Sequence, residues 1–287
     1  MKIGVMVESF RKSFREGVAE AAALGAAGIQ AYATYGELGV DSVTKDGLRE
    51  ALDIVKSNGM VFSAICGDFG VGFADPEKNA VYIDKSKRVL ELAKELECNV
   101  VTTHIGTVPQ EECETKEIMR TACRELAVYA DSMGSAFAVE TGPEKAQILC
   151  DFLDSLGAGG VRVNFDPANL VMVAGDKPQT AVATLGKYIV HTHAKDGIKL
   201  DASLRKDIQV TIGGEAAGHD QLLAMGRAYL ELPLGEGDVH FDTYLPALAA
   251  TGFDGFLTIE REVGDDPAKD IRLAADFLRE KLAQLGL

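Results

Sequence analysis

The chain repeats a single unit along most of its length, a short apolar run followed by a stretch whose apolar residues recur with helical spacing. Each run has five or six residues, which is the length of a strand buried on both faces of a sheet. Eight such units in series are typical of a parallel sheet that closes on itself, so we predict an α/β fold, a (β/α)8 barrel. The predicted strands cover residues 3–7, 29–33, 61–66, 100–104, 136–140, 161–166, 189–193 and 256–260.

Capping residues mark the ends of several predicted helices. Asp75 and Asp266 each precede a proline, which combines an N-cap carboxylate with a residue suited to the first helical turn. Thr115 is predicted to open a helix that Gly134 ends. The apolar residues of the last helix share one face and are predicted to pack on the sheet; they are Ile271, Ala274, Ala275, Leu278 and Leu282.

Size and composition favour one domain that spans residues 1–287. A chain of this length with 47% hydrophobic residues suits one large core rather than two small ones. Acidic residues outnumber basic ones by 44 to 29, and the net charge of −15 opposes binding to nucleic acid. No apolar segment is long enough to span a bilayer, so no membrane partner is expected. The five cysteines lack C-x-x-C spacing, which predicts reduced thiols and a cytoplasmic protein.

One connection is much longer than the others. About forty residues, 197–238, separate the seventh predicted strand from the next helix, where a few residues are usual. An insertion on this rim can serve as a lid or as a contact in a homo-oligomer, and the sequence leaves both open. Lys195, Arg205 and Lys206 could bind a substrate phosphate if the insertion folds inward.

Ionisable side chains end four of the predicted strands. Glu140, Asp166 and Glu260 close the fifth, sixth and eighth runs, and His193 closes the seventh. The carboxyl ends of the strands meet on one rim, where three carboxylates would repel one another without a counter-ion. These four residues are therefore predicted to bind one divalent metal ion. Three carboxylates and one imidazole favour Mn2+, with Mg2+ or Co2+ as alternatives and Zn2+ less suited.

Three of these ligands have a structural alternative. Glu260 is flanked by Arg261 and Glu262, which could engage it in a salt-bridge network, although side-chain alternation turns both away from it. Glu140 could form a salt bridge with Lys145, because a buried carboxylate without a partner is costly. The carboxylate of Asp166 could cap a helix, since Asp-Pro-Ala-Asn is also a sequence typical of a helix start.

Further histidines are candidates for substrate contact. His191 lies two residues before His193, so both side chains project to one face of the strand. One of them can bind the metal while the other contacts the substrate. His104, which ends the fourth run, could bind a substrate hydroxyl or could be structural.

Four motifs surround these residues, and they are Ala-Val-Glu140-Thr, Asn-Phe-Asp166-Pro-Ala-Asn169, His191-Thr-His193-Ala-Lys195-Asp and Thr-Ile-Glu260-Arg-Glu. Together they resemble the motifs of the xylose-isomerase-like barrels, the sugar phosphate isomerases and epimerases, over essentially the whole chain. The ketose 3-epimerases are the best understood relatives. The resemblance implies that their four metal ligands correspond here to Glu140, Asp166, His193 and Glu260.

Two positions depart from the ketose 3-epimerase pattern. Asn169 stands where those enzymes have a substrate-binding histidine, and Lys195 stands in place of their arginine. We expect both to contact substrate, together with His104 and His191. The departures leave the identity of the sugar open, although the metal ligands are retained.

The resemblance implies a metal-dependent isomerase or epimerase that acts on a sugar or sugar phosphate. The substrate would offer the ion a carbonyl and a neighbouring hydroxyl oxygen, which favours an enediolate. Glu140 and Glu260 would remove and return the proton on opposite faces of the substrate.

Three other functions remain open. The same enediolate could expel a β-hydroxyl, as in a dehydratase of a keto-inositol or keto-sugar. Abasic-site endonucleases belong to the same superfamily but carry several zinc ions on more histidines than the five here. A non-catalytic barrel subunit would bind no metal tightly.

Overall fold

The structure is a computed structural model that describes residues 1–201, 208–212 and 215–287. Eight parallel strands form a closed barrel, in which the first strand pairs with both the second and the last. The predicted (β/α)8 barrel is therefore confirmed. The barrel strands are β1 (Lys2–Met6), β2 (Gly28–Tyr32), β3 (Val61–Cys66), β4 (Val100–Thr103), β5 (Ala136–Glu140), β6 (Val161–Phe165), β7 (Ile189–Ala194) and β12 (Phe256–Ile259).

Helices follow the strands and surround the barrel. They are α1 (Phe14–Ala23), α2 (Lys45–Ser57), α3 (Pro76–Glu95), α4 (Glu114–Ser132), α5 (Ala146–Asp154), α6 (Pro167–Asn169), α7 (Pro178–Leu185), α8 (His219–Ala224), α9 (Phe241–Ala250) and α10 (Pro267–Leu285). Among the described residues, no helix has both the length and the apolar character to cross a membrane.

The caps predicted at two helix starts are present. The side chain of Asp75 accepts a hydrogen bond from the N–H of Glu77, and that of Asp266 accepts one from Lys269. The prediction for α4 was wrong by one residue at its start. The helix begins at Glu114 rather than Thr115, because the extended backbone of Cys113 takes the N-cap position without a side-chain hydrogen bond.

The apolar core lies around the barrel and beneath the helices. In α10 the buried residues are the five predicted from their spacing, Ile271, Ala274, Ala275, Leu278 and Leu282. All of them belong to one large cluster of buried apolar side chains that also includes residues of every barrel strand.

The insertion after β7 contains secondary structure of its own. Strand β8 (Asp196–Lys199) pairs antiparallel with β11 (Tyr229–Leu232), and β9 (Gln209–Ile212) pairs antiparallel with β10 (Glu215–Gly218). A second, smaller apolar core holds this segment together, and its members include Ile198, Leu200, Ile208, Leu222 and Leu230. Its use as a lid or as an oligomer contact stays a prediction.

The carboxylate of Asp196 joins the two ends of the insertion. Asp196 follows β7 closely and accepts hydrogen bonds from the backbone N–H groups of Gly197, Gly235, Gly237 and Val239, over distances of 2.8–3.1 Å. The two ends of the insertion are therefore held together beside the rim of the barrel.

Candidate metal centre

Four predicted ligands converge at the carboxyl-terminal rim of the barrel. Glu140 ends β5, Asp166 follows β6, His193 lies near the end of β7, and Glu260 follows β12. One ligand atom of each side chain lies within 4.8 Å of the corresponding atoms of the other three. All four side chains are buried. The parallel topology produces this convergence, because every strand ends on the same rim.

The imidazole of His193 lies at the middle of the cluster. Its Nδ1 atom is 3.2 Å from Glu260 Oε2, 3.4 Å from Asp166 Oδ2 and 3.6 Å from Glu140 Oε1. Burial lowers the pKa of His193, but the charges of Glu260 and Glu140 outweigh burial and hold that pKa well above its ordinary value. Three buried carboxylates are thus stabilised by a positive charge at this point. Their oxygens and one imidazole nitrogen are ligand atoms that could hold a divalent cation.

The other ring nitrogen of His193 has a partner on the side of the ring away from the carboxylates. Its Nε2 atom lies 3.2 Å from the amide oxygen Oε1 of Gln30, which can only accept a hydrogen bond. The side-chain amide nitrogen of Asn164 lies at the same distance from Nε2, so two amides hold the ring with Nδ1 turned towards the carboxylates. Such a partner on the far nitrogen is the usual support of a metal-binding histidine.

Asp166 satisfies both interpretations of its sequence. One carboxylate oxygen, Oδ1, accepts the backbone N–H of Asn169 at 2.9 Å and so caps α6. The other oxygen, Oδ2, faces His193 at the centre of the cluster. Capping thus orients the carboxylate and leaves one oxygen for an ion.

Glu140 has imidazole and amide partners. Its ion-pair contacts are His193 and His104, each at 3.6 Å, rather than Lys145. Its two oxygens accept hydrogen bonds from the side-chain amides of Asn169 and Asn164, at 2.9 and 3.2 Å. The carboxylate is therefore fixed in orientation on both sides.

A layer of hydrogen-bonded polar side chains lies below the cluster. The hydroxyl of Thr258 donates to Nε2 of His191, whose Nδ1 donates to Oδ1 of Asn164, with both distances at 2.9 Å. This fixes the Asn164 amide so that its Nδ2 donates to Glu140. Burial lowers the pKa of His191 well below its ordinary value, which keeps the ring neutral as this chain of donors requires. His191 shares a face with His193 but has both nitrogens occupied inside the barrel.

An open cavity of about 220 Å³ is lined by Glu140 and Glu260, two of the four candidate ligands. Three of the residues predicted to contact substrate, His104, Asn169 and Lys195, form part of its wall, whereas His191 does not. Nδ1 of His104 lies 2.9 Å from Asp68 Oδ2. The Glu140 carboxylate is the largest cause that raises the pKa of His104, to about 9.

Lys195 crosses the cavity wall to reach several carboxylates. Its Nζ lies 3.0 Å from Glu260 Oε2, 2.5 Å from Glu262 Oε2 and 3.7 Å from Glu231 Oε2. Glu231 belongs to β11 of the insertion and is also bound by Arg261 at 2.7 Å. Burial alone would raise the pKa of Glu260, but Lys195 and His193 lower it below its ordinary value. The other two cations considered for phosphate binding, Arg205 and Lys206, lie outside the described residues.

Several contributors were missed by sequence reasoning. A signal existed for the inner layer, because Gln30, Asn164 and Thr258 are uncharged polar residues within otherwise apolar strands. No signal in the sequence connects Asp68 with His104, or Glu231 with Lys195. The two members of each pair come from different segments of the chain and meet only when it folds.

Comparisons with known proteins agree with this architecture. Three solved structures superpose on nearly all of the chain. The xylose isomerase domain protein of Planctomyces limnophilus is 24% identical, with a TM-score of 0.79, and covers 99% of this chain and 98% of its own. The probable 3-DHS dehydratase of petrobactin synthesis from Bacillus anthracis is 18% identical, with a TM-score of 0.73. It covers 97% of this chain and 99% of its own.

The third structure is the D-psicose 3-epimerase of Clostridium cellulolyticum, solved with D-tagatose. It is 17% identical, with a TM-score of 0.70, and covers 98% of this chain and 99% of its own. A comparison with curated proteins finds no match. The family described as Xylose isomerase-like TIM barrel matches residues 18–281. Since that match takes in most of the sequence, the chain belongs to the xylose isomerase-like TIM barrel family.

Proposed function

We propose that this chain is a metal-dependent isomerase or epimerase of a keto-sugar, which acts by proton transfer next to the carbonyl. The observation that carries the proposal is the set of three buried carboxylates and one imidazole, with ligand atoms within 4.8 Å of one another, beside an open polar cavity. The chain also belongs to the xylose isomerase-like family, which is named after an enzyme that isomerises a sugar, and this supports the proposal.

Glu140, Asp166, His193 and Glu260 would hold one divalent ion. Carboxylate oxygens and one imidazole favour Mn2+, with Mg2+ and Co2+ as alternatives, over ions that prefer thiolates. When bound, the ion supplies Lewis acidity that polarises the substrate carbonyl and makes the neighbouring C–H more acidic.

The proton would be moved by Glu140 and Glu260. Glu140 ends β5 and Glu260 follows β12, and β6 and β7 lie between these two strands, so the two carboxylates would approach the substrate from different sides of the rim. One carboxylate would take the proton and the other would return it to the opposite face. Lys195 holds its ammonium against Glu260 and keeps that carboxylate in the ionised form that a base requires.

The remaining residues would bind and orient the substrate. His104, Asn169 and Lys195 line the cavity and can donate hydrogen bonds to hydroxyl or carbonyl oxygens. We assign His191 to the support of Asn164 rather than to substrate contact, because both of its ring nitrogens already have partners.

The test is solvent deuterium exchange into a panel of ketoses and ketose phosphates, followed by NMR with the Mn2+-loaded protein. Glu140→Gln and Glu260→Gln should each lower the exchange rate by roughly 10²–10⁴-fold at saturating Mn2+, the usual contribution of a general base. Glu97→Gln, which alters an exposed carboxylate paired with Lys56, serves as the control. Full exchange in both active-site variants would refute the assignment.

Dehydration is the second candidate. His104, hydrogen-bonded to Asp68, borders the cavity beside Glu140 and could protonate a leaving β-hydroxyl. A dehydratase and an epimerase would share the first proton transfer and differ in the second step. Detection of an unsaturated product, with loss of one water per turnover, would favour the dehydratase.

A further inference from the structure

A second cavity opens on the same rim as the first. It has a volume of about 160 Å³, enough for about five water molecules. Tyr32, at the end of β2, lines both cavities, and so the two are neighbours across one side chain. The metal cluster does not extend into this second space, which leaves it without a part in the proposed reaction.

The wall of the second cavity contains an acceptor that lacks a donor. Glu8 Oε1 accepts the backbone N–H of Tyr32 at 2.9 Å, whereas Glu8 Oε2 is buried and has no hydrogen-bond partner among the described residues. Burial raises the pKa of this carboxyl above its ordinary value, which reflects the same missing partner. A buried carboxylate oxygen without a donor is costly, so a ligand that brings a hydroxyl would be favoured here.

Three other polar side chains of this cavity are already engaged. Glu37 accepts the backbone N–H of Phe14 at 3.2 Å. The hydroxyl of Ser13 donates to Glu16, and the ammonium of Lys12 is paired with Glu20. Among the described residues that line this cavity, Glu8 has the one buried side-chain oxygen without a hydrogen-bond partner. Two carboxylates against one paired ammonium also disfavour a phosphate, which is anionic and offers no donor at neutral pH.

An aromatic surface completes the wall. The rings of Tyr32 and Tyr35 have centroids 4.8 Å apart and are inclined by 33°. The side chain of Tyr35 is 56% exposed, although it lines the cavity. A large exposed ring beside a hydroxyl acceptor suits the apolar C–H face and the hydroxyl edge of a sugar ring.

We propose that this second cavity is a subsite for a glycosyl group, so that the substrate is a keto-sugar that carries a second, uncharged sugar ring. The inference rests on the proposed function, because the reacting ring must occupy the cavity beside the metal ligands. The hydroxyls of the second ring donate to Glu8 Oε2, and its C–H face lies against Tyr35. Phosphorylated sugars are not accommodated in this subsite.

The test is a set of binding measurements with the Mn2+-loaded full chain. The probes are D-fructose and its glucosyl derivatives at O3, O4 and O6, namely turanose, maltulose and isomaltulose. At least one derivative should bind about tenfold or more tightly than fructose, equivalent to one good hydrogen bond to a charged group. Glu8→Gln and Tyr35→Ala should each reduce that ratio to about threefold or less. Fructose, measured with every variant, is the reference for folding and for the first cavity.

Control variants alter a similar pair elsewhere. Tyr129 donates its hydroxyl to Glu91 on the exposed face of α3 and α4, so Tyr129→Ala and Glu91→Gln should keep the wild-type ratio. The inference is overturned if no glucosyl derivative binds more tightly than fructose, or if both subsite variants keep the full ratio. Failure of the proposed function would give a different result. No solvent deuterium would then enter any ketose, whatever the ratio of the affinities for the glucosyl derivative and for fructose.

Discussion

Nε2 of His193 lies 3.2 Å from the amide oxygen of Gln30, on the opposite side of the ring from the three carboxylates. Gln30 is fixed in turn, because its Nε2 donates to the hydroxyl of Thr102 at 3.1 Å. This support orients the ring so that Nδ1 faces the three carboxylates. Gln30 therefore helps to orient the His193 ring, although the two residues are 163 positions apart in the sequence.

Gln30→Met should weaken metal binding without removing a ligand. Methionine has a similar size but cannot accept the proton of His193 strongly, and loss of such a partner usually costs 10–100-fold in metal affinity. Calorimetric titration of the chelator-treated protein with Mn2+ measures the change. Gln147→Met, on the exposed face of α5, is the matched control. Equal Mn2+ affinity in Gln30→Met and wild type would show that the contact does not prepare the ligand.

Substitutions at Asp166 should separate its two tasks. Asp166→Asn keeps an oxygen that can cap α6 but loses the anionic ligand, so Mn2+ affinity should fall at least 100-fold with little loss of stability. Asp166→Ala should lose the cap as well, at a further cost of about 1 kcal/mol in the free energy of unfolding. Titration with Mn2+ and urea unfolding of the metal-free proteins measure the two effects. Identical stability of the two variants would mean that the cap contributes nothing.

The cluster of candidate ligands could be predicted because the positions of its residues follow from connectivity alone. Any residue that ends a strand of a parallel barrel reaches the same rim, whatever the detailed register. Glu140, Asp166, His193 and Glu260 needed no further information, and the structure brings them together.

The support of those ligands could not be predicted in the same way. Whether His191 meets substrate or Asn164 depends on its depth in the barrel, which the stagger between β6 and β7 sets. Glu231 contacts Lys195 because the insertion folds back over the rim of the barrel. No motif or spacing in the sequence predicts how the insertion folds. The spacing of residues in the sequence predicts which face of a strand a side chain lies on. It does not predict how deep in the barrel that side chain lies, or which distant residue it contacts.

Asp196→Ala should destabilise the insertion selectively. The substitution leaves four backbone N–H groups without their acceptor, and a buried group without a partner costs about 1–3 kcal/mol. Hydrogen exchange by mass spectrometry should show faster exchange at Gly235, Gly237 and Val239, whereas the barrel strands stay protected. Asp265→Ala, at an exposed position, is the control. Unchanged protection at these amides would show that Asp196 does not hold the insertion.

Glu144 should make stability fall as the pH rises through the weakly acidic range. Its side chain is buried, with Oε2 accepting the N–H of Val108 at 3.0 Å, and burial raises its pKa to about 7. The unfolded chain releases this proton near the ordinary value of 4.5. Between these two values the folded chain binds more protons than the unfolded chain. The stabilising contribution is therefore complete below about pH 4.5 and is lost by about pH 7.

Glu144→Gln should remove this dependence, because the amide keeps an acceptor for Val108 and does not titrate. Urea unfolding of the metal-free proteins from pH 4.5 to 8 measures it. The variant should gain on the order of 3 kcal/mol relative to wild type across that range, since each unit of pKa shift corresponds to about 1.4 kcal/mol. Other carboxylates titrate equally in both proteins and cancel in the difference. Glu91→Gln, at an exposed carboxylate, should follow wild type at every pH. Parallel curves for Glu144→Gln and wild type would mean that Glu144 is ionised in the folded chain throughout, with its charge stabilised by groups other than Val108.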